Sequence, residues 1–405
     1  MTSPTAAPSV PGPWREVARQ ANLLGADGAL APTIFAEMTD LARRTGAINL
    51  GQGFPDTDGP AELLRAAVAG ITGGLNQYPP GRGVPELRRA IADHQRRFHG
   101  LDVDPDTEVL VTAGATEAIA ATILALTGPG DEVIVLEPYY DAYAAVIAMA
   151  GATRVCVPLR FPDHALDPVA LAAAFGPRTR AILLNSPHNP TGRVLTDAEL
   201  ADVARLAIAH DALEVTDEVY EHVVFDGLRH RPMATLPGMA DRTVSISSAG
   251  KTFSVTGWKV GWLTARPALV DAVTTVKQFL TYVNAGPLQP AVAVGLDLPD
   301  AAYEQVAARL QAARDLLVEG LSDAGFTVSV PGGSYFVIAD AAPLGFEDAA
   351  VLCRRLPDLC GVVGVPVQVF VDDPASARSL VRFAFCKRPE VIEEAVRRLR
   401  TLRPA

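Results

Sequence analysis

The sequence is short of cysteine. Cys156, Cys353, Cys360 and Cys386 are the only four in 405 residues, and no two form a Cys-x-x-Cys pair. No Cys/His group has metal-ligand spacing, so no metal site is expected, and four thiols in a chain this long read as packing residues in a reducing cytosol. Long apolar runs are missing as well. The longest, around 144–152, falls well below the roughly 18 residues that cross a bilayer, and it reads as a buried helix. There is no clustered Lys/Arg stripe, and the formal net charge is −11. Both features argue against nucleic acid as a partner. No Gly-x-Gly-x-x-Gly follows the first strand, which argues against a dinucleotide. No internal repeat is visible, and low complexity is confined to the first dozen residues. Residues 1–13, rich in Pro, Ser, Thr and Ala, lack the basic start and apolar core of a signal peptide and are expected to be a disordered lead-in. A cytoplasmic protein with no membrane partner is the expectation.

What is present is an ordinary enzyme composition. Hydrophobic residues make up 49% and charged residues 20% of the chain, and the length allows two sub-structures around a large core. Short apolar runs at 108–112, 132–136, 153–157, 181–184, 213–216, 243–246 and 260–265 read as strands. Amphipathic stretches at 116–126, 140–149, 167–175 and 197–210 read as the helices between them. The runs do not alternate, as expected when both faces of a sheet are covered. The pattern predicts an α/β fold, a mostly parallel seven-stranded sheet flanked by helices. The end of the chain differs. A long helix at 301–321, strands at 326–330, 334–338 and 380–385, and a last helix at 390–402 suggest a smaller α+β domain. The expected division is a large domain at 48–285 and a small one at 286–405, with a helical segment at 14–47 packing beside the latter.

In such a sheet, ligands bind at the C-terminal ends of the strands, and the chemistry-bearing residues fall there. Lys251 ends a hydroxyl-rich turn, Ser247-Ser248-Ala249-Gly250-Lys251, after the strand at 243–246. Such a lysine is a candidate for imine formation with an aldehyde cofactor. Ser248 and Lys259 lie close enough in sequence to hold an anionic group; a lone lysine among serines is otherwise a solvated loop. Gly114-Ala115-Thr116 opens a helix whose free N–H groups can cradle phosphate, or Thr116 simply caps it. Tyr140 can stack on a flat ring or fill the core. Asn189, in Asn185-Ser186-Pro187-His188-Asn189-Pro190-Thr191-Gly192, can donate to a phenolate oxygen or merely shape a turn. Asp217 can pair with a protonated ring nitrogen, and Tyr220 can bond a ring hydroxyl; an acidic strand end also serves as a cap or a metal ligand. Arg382, among apolar neighbours on a probable strand, fits an α-carboxylate in bidentate fashion or an internal salt bridge.

Taken together, these segments resemble the fold-type I, pyridoxal 5'-phosphate-dependent aminotransferases of class I/II, over nearly the whole chain from about Ala29. Leu50-Gly51-Gln52-Gly53-Phe54-Pro55-Asp56, Asn76-Gln77-Tyr78-Pro79-Pro80, the Asn189 turn and the 251–262 run are similar to the branch of kynurenine, glutamine and methionine aminotransferases. The likeness is greatest to bacterial N-succinyldiaminopimelate aminotransferases of lysine biosynthesis. The resemblance implies Lys251 as the imine-forming residue and proton shuttle, Asp217 on the ring nitrogen, Asn189 and Tyr220 on the ring hydroxyl, and Tyr140 stacked on the ring. It implies Ala115, Thr116, Ser248 and Lys259 around the phosphate, with Tyr78 reaching the partner subunit's phosphate in a homodimer. Gly53, Asn189 and Arg382 would meet the substrate. Lys259 stands where many relatives have arginine, so the charge is kept without the fork. The implied reaction is ping-pong exchange of an amino group between an amino acid and 2-oxoglutarate. The rivals are β-elimination from cysteine conjugates and a catalytically silent binding protein on the same scaffold, which the complete residue set disfavours. For a second substrate carboxylate, Arg82, Arg193 and Lys277 are the candidate readers, each otherwise a surface charge.

Overall fold

Seven short strands in mid-chain, most of them rich in Val, Ile and Leu, form one sheet with helices covering both sides. The computed structural model describes residues 10–25 and 27–403. Across the sheet the order is Val109–Thr112, Gly261–Thr264, Thr243–Ser248, Leu213–Asp217, Thr179–Asn185, Glu132–Glu137 and Thr153–Pro158. All neighbours are parallel except Gly261–Thr264, which runs antiparallel to the strands on each side. The first three strands in this order are buried at every position, the pattern that a sheet covered on both faces demands. One covering layer packs Gly114–Leu126, Asp141–Ala150 and Pro267–Lys277 around Ile119, Tyr143 and Val270. The other packs Leu171, Leu200 and Val203 against Ile134 and Ile182.

A second, four-stranded antiparallel sheet orders Val365–Pro366, Leu380–Ala384, Phe336–Asp340 and Thr327–Ser329. Asp300–Asp323 and Pro389–Leu399 pack over it. Gly320 lets them approach closely, since a Cβ there would sit 2.5 Å from Val396. The helix Gln289–Leu296 packs on Ala61–Thr72 and Pro85–His99 rather than on this sheet.

The segment at 14–47 holds two helices. Trp14–Gln20 lies against Asp141–Ala150, while Ile34–Thr45 packs on Ala349–Cys360. Thr33 caps the second helix by accepting from Ala36 N–H at 3.1 Å, and Gly46 ends it at φ 69°, the left-handed stop that glycine accepts without strain. Between them lies an irregular stretch with Gly25, Gly28 and Pro32. Of the expected lead-in at 1–13, residues 1–9 lie outside the described residues. Among the described residues no helix is long and apolar enough to cross a membrane.

The two sheets meet where function is to be sought. The isolated bridge Val224–Gly333 joins the loop after Leu213–Asp217 to the turn before Phe336–Asp340. The Arg314–Asp226 ion pair, at 2.5 Å, lies beside it.

Candidate active site

The parallel strands deliver Asn185, Asp217 and Ser248 at their C-terminal ends on one edge of the sheet. Facing them are Phe336 and Arg382 of the second sheet, and Gln52 and Gly53 of the 50–59 loop. Together these surround a cavity of about 330 Å³. Of the residues singled out in the sequence, Gly53, Ala115, Thr116, Tyr140, Asn189, Asp217, Tyr220, Ser248, Lys251, Lys259 and Arg382 all line it. Tyr78 does not. It is 81% exposed and packs edge-on to the ring of Tyr282.

One end of the cavity is built for an anion. Gly114–Leu126 begins there with no side-chain cap, so its first N–H groups remain available. Lys259 sits in the left-handed region at φ 52°. That turn brings its Nζ so close that a Cβ on Gly114 would lie 3.1 Å from it. Gly114, itself at φ 76°, is thus required both by its backbone and by the ammonium beside it. Helix N–H groups, a lysine and the Ser248 and Thr116 hydroxyls converge on one point, the usual makings of a phosphate site.

Asp217 forms the floor. Its Oδ2 accepts from the Tyr143 hydroxyl at 2.7 Å, and its Oδ1 from Val219 N–H at 3.3 Å. Burial pushes its carboxyl up to about 6, although Tyr143, Val219 and the nearby Lys251 pull the other way. An acidic group held this way is short of a positive partner. Asn185 braces the same corner. It donates to the Asp217 carbonyl at 2.7 Å and accepts from Asn189 N–H at 2.6 Å, which sets the Asn189 turn against the strand end.

Lys251 comes from the short helix Ala249–Thr252. Burial lowers the pKa of its amine, and the Nζ donates to the Tyr335 hydroxyl at 2.8 Å. Tyr335 in turn donates to the Gly53 carbonyl at 2.6 Å and meets Tyr220 edge-to-face, with ring centroids 5.0 Å apart.

Arg382 closes the far side. It is 2% exposed. Its guanidinium donates to Asn189 Oδ1 at 3.1 Å and to the Gly51 carbonyl at 3.0 Å, and it stacks 4.1 Å from the Phe336 ring centroid. Its Nε has no partner, and no carboxylate lies within ion-pair distance among the described residues. Burial pulls its pKa down to about 10. A buried guanidinium without a carboxylate is costly in the free protein and is relieved by an anionic ligand.

Sequence reasoning missed Tyr143, Tyr335, Asn185, Phe35, Gln52 and Phe336. Tyr143 lies one helical turn past Tyr140, and Tyr335 follows the Gly332-Gly333 turn; those spacings were the available signals. The three proposed readers of a distal carboxylate are corrected. Arg82 pairs with Asp271, Arg193 with Glu199 at 2.8 Å, and Lys277 donates to the Tyr282 carbonyl at 2.6 Å. None of them lines the cavity. Each instead satisfies a local carboxylate or carbonyl, which sequence alone does not reveal.

Comparison with known proteins gives the family. The family model for aminotransferase class I and II matches residues 45–399. The chain is 53% identical over 388 residues to the Mycobacterium tuberculosis H37Rv protein named Probable N-succinyldiaminopimelate aminotransferase DapC, covering 93% of this chain and 98% of that one. It is 38% identical to the methionine aminotransferase of Escherichia coli K12, covering 92% and 96% of the two chains. The solved structure of the N-succinyldiaminopimelate aminotransferase from M. tuberculosis superposes with a TM-score of 0.89 at 54% identity, over 91% of this chain and 97% of that chain.

Proposed function

The chain belongs to the class I and II aminotransferases, and from that we propose that the cavity around Lys251 binds pyridoxal 5'-phosphate and exchanges an amino group between an amino acid and 2-oxoglutarate by a ping-pong mechanism. One observation carries the reading furthest. Arg382 is buried without a carboxylate, on the same cavity as a partly buried lysine and a buried aspartate.

The uncapped start of Gly114–Leu126, the Lys259 ammonium beside it and the buried carboxyl of Asp217 on the same cavity suit the phosphate and ring ends of the cofactor. Ala115, Thr116, Ser248 and Lys259 would hold the phosphate. Asp217 would pair with the ring nitrogen, Asn189 and Tyr220 would bond the ring hydroxyl, and Tyr140 would stack on the ring. Pyridoxal phosphate, when bound, supplies an electron sink for the substrate's Cα. The chain does the rest. Arg382 binds the α-carboxylate as a fork and fixes the Cα over Lys251, with Gly53 and Asn189 alongside. Gly53 leaves the room for this, because a Cβ there would lie 2.4 Å from the Phe336 ring. The lowered pKa of Lys251 makes its amine available as a base, and Tyr335 orients it. Phe35, Phe336 and Tyr140 line the cavity with aromatic surface.

For the amino donor, the 53% identity to the mycobacterial protein supports N-succinyl-LL-2,6-diaminopimelate, and with it a place in lysine and diaminopimelate biosynthesis. Kynurenine-, glutamine- or methionine-type transamination, or β-lyase activity, is the alternative, supported by 38% identity to the methionine enzyme. The exposed Tyr78 supports a homodimer in which it serves the partner subunit's phosphate, and the chain is assigned to the cytoplasm. The test is a half-reaction screen. Candidate amino acids are added to the yellow holoenzyme and its visible band is followed, with pyruvate and ammonia assayed in the absence of any amino acceptor. Rapid bleaching by the succinylated substrate, without pyruvate release, is expected. Preference for methionine or kynurenine would replace the substrate, and stoichiometric pyruvate would replace the reaction.

A further inference from the structure

Outside this cavity, the described residues hold a buried cluster of histidines and glutamates that the transamination chemistry does not use. His94 on Pro85–His99 meets His222 on the turn after Leu213–Asp217, with their Nε2 atoms 2.6 Å apart. Glu221 lies beside them. Its carboxylate and the two imidazoles each offer an atom within 4.8 Å of the others. Glu221 is itself braced, accepting from the Ser247 hydroxyl at 2.5 Å, with His99 Nε2 at 2.7 Å.

The charge balance around this group is unusual for a protein interior. Glu214, Glu218 and Glu221 are all at least 96% buried. Among the described residues, none of the three has a lysine or arginine within ion-pair distance. Only histidines answer them, His99 for Glu221 and His230, at 3.5 Å, for Glu218. Glu218 Oε1 and both ring nitrogens of His230 lack hydrogen-bond partners. The other grouped set among the described residues, Glu137, Cys156 and Asp372, already has its cation, because Arg154 pairs with Asp372 at 2.5 Å.

We propose that His94, Glu221 and His222 form a binding site for a divalent transition-metal ion of the zinc class, which ties the helix Pro85–His99 to the turn that carries Asp217 and Tyr220. Two imidazoles and one carboxylate suit zinc, with water in the fourth position. Ligands on a tetrahedral zinc sit about 3.4 Å apart at bond lengths of about 2.05 Å. The two Nε2 atoms must therefore separate by roughly 0.8 Å, a small rotation of two rings. His222 is only partly buried. The ion supplies positive charge to a buried acidic cluster, and the Ser247 and His99 contacts hold Glu221 as outer-shell groups hold metal ligands. Linear spacing hides the site, because His94 and His222 are 128 positions apart.

The test uses the holoenzyme, stripped with chelating resin, re-equilibrated with zinc chloride and passed again over resin before elemental analysis. About one zinc per chain is expected in the wild type and less than about a tenth in His94→Gln, His222→Gln and Glu221→Gln. The surface variant His210→Gln should keep its full share. In parallel, cobalt(II) in place of zinc should give the visible bands of a tetrahedral ion in the wild type and His210→Gln but not in the His94, His222 and Glu221 variants. The glutamine variants keep the size of the side chains, and an unchanged visible band of the bound cofactor verifies that they have folded. Failure of the folded wild type to retain zinc, or equal retention by the His94→Gln/His222→Gln double variant, overturns the proposal. Neither readout depends on transamination, so either result leaves the reading of the Lys251 cavity where it stands.

Discussion

The Lys251 amine and the Tyr335 hydroxyl are joined by a 2.8 Å hydrogen bond across 84 positions of sequence. Tyr335 passes the contact on to the Gly53 carbonyl at 2.6 Å. One phenol thus couples the lysine of the first sheet to the loop that faces the substrate. Tyr335→Phe keeps the ring packing against Tyr220 and removes only the link. We expect kcat to fall about tenfold, or roughly 1.4 kcal/mol of barrier, with little change in KM. Steady-state kinetics check this, and an unchanged kcat would remove Tyr335 from the account.

Arg382→Lys tests the fork. The charge stays, but the bidentate geometry is lost in a buried setting. We expect kcat/KM for an α-amino acid to fall about a hundredfold, near 2.7 kcal/mol. A simple amine that lacks the α-carboxylate should lose much less. Equal losses on both would show that Arg382 only supports the wall.

Asp217 predicts a pH dependence of the cofactor-free protein. Its carboxyl is raised by burial from 3.8 to about 6. The folded chain therefore holds this proton more tightly than the unfolded chain. The resulting stabilisation is complete below about pH 3.8 and is lost as pH rises through about 6, up to about 3 kcal/mol by pH 7. Denaturant melts of the cofactor-free wild type should lose this component between pH 4 and 7 relative to Asp217→Asn. Identical pH profiles for the two proteins would contradict the buried, unpaired carboxyl.

Tyr78 does not line its own cavity and is 81% exposed. If it serves the partner subunit, sedimentation should give a dimer, and Tyr78→Phe should weaken cofactor binding about tenfold without dissociating it. A fully active monomer would remove this role.

Much of the fold was legible because the strands are continuous apolar runs that both layers of helices bury. Val109–Thr112 and Thr243–Ser248 needed no periodicity to be found. The direction of Gly261–Thr264 was not legible, since its residues would suit either orientation; the chain reverses after the short helix Ala249–Thr252 and returns between its neighbours. The lining of the cavity could be read where chemistry demands a rare residue in a rare place, as with Lys251, Asp217 and Arg382. Tyr143 and Tyr335 could not, because an aromatic in a core and an aromatic on an active-site floor look alike in sequence. Arg82, Arg193 and Lys277 misled for the converse reason, since a cation shows nothing of its local partner until the fold brings in Asp271, Glu199 or the Tyr282 carbonyl.

The central claim is that Lys251 carries the cofactor. The chain has only four lysines, Lys251, Lys259, Lys277 and Lys387, so the measurement is direct. Holoenzyme is treated with borohydride, digested and mapped by mass spectrometry. The account predicts loss of the yellow colour and a phosphopyridoxyl group on Lys251 alone, absent from Lys251→Ala. A stable adduct on Lys259, Lys277 or Lys387 in its place, or no adduct at all, would contradict it.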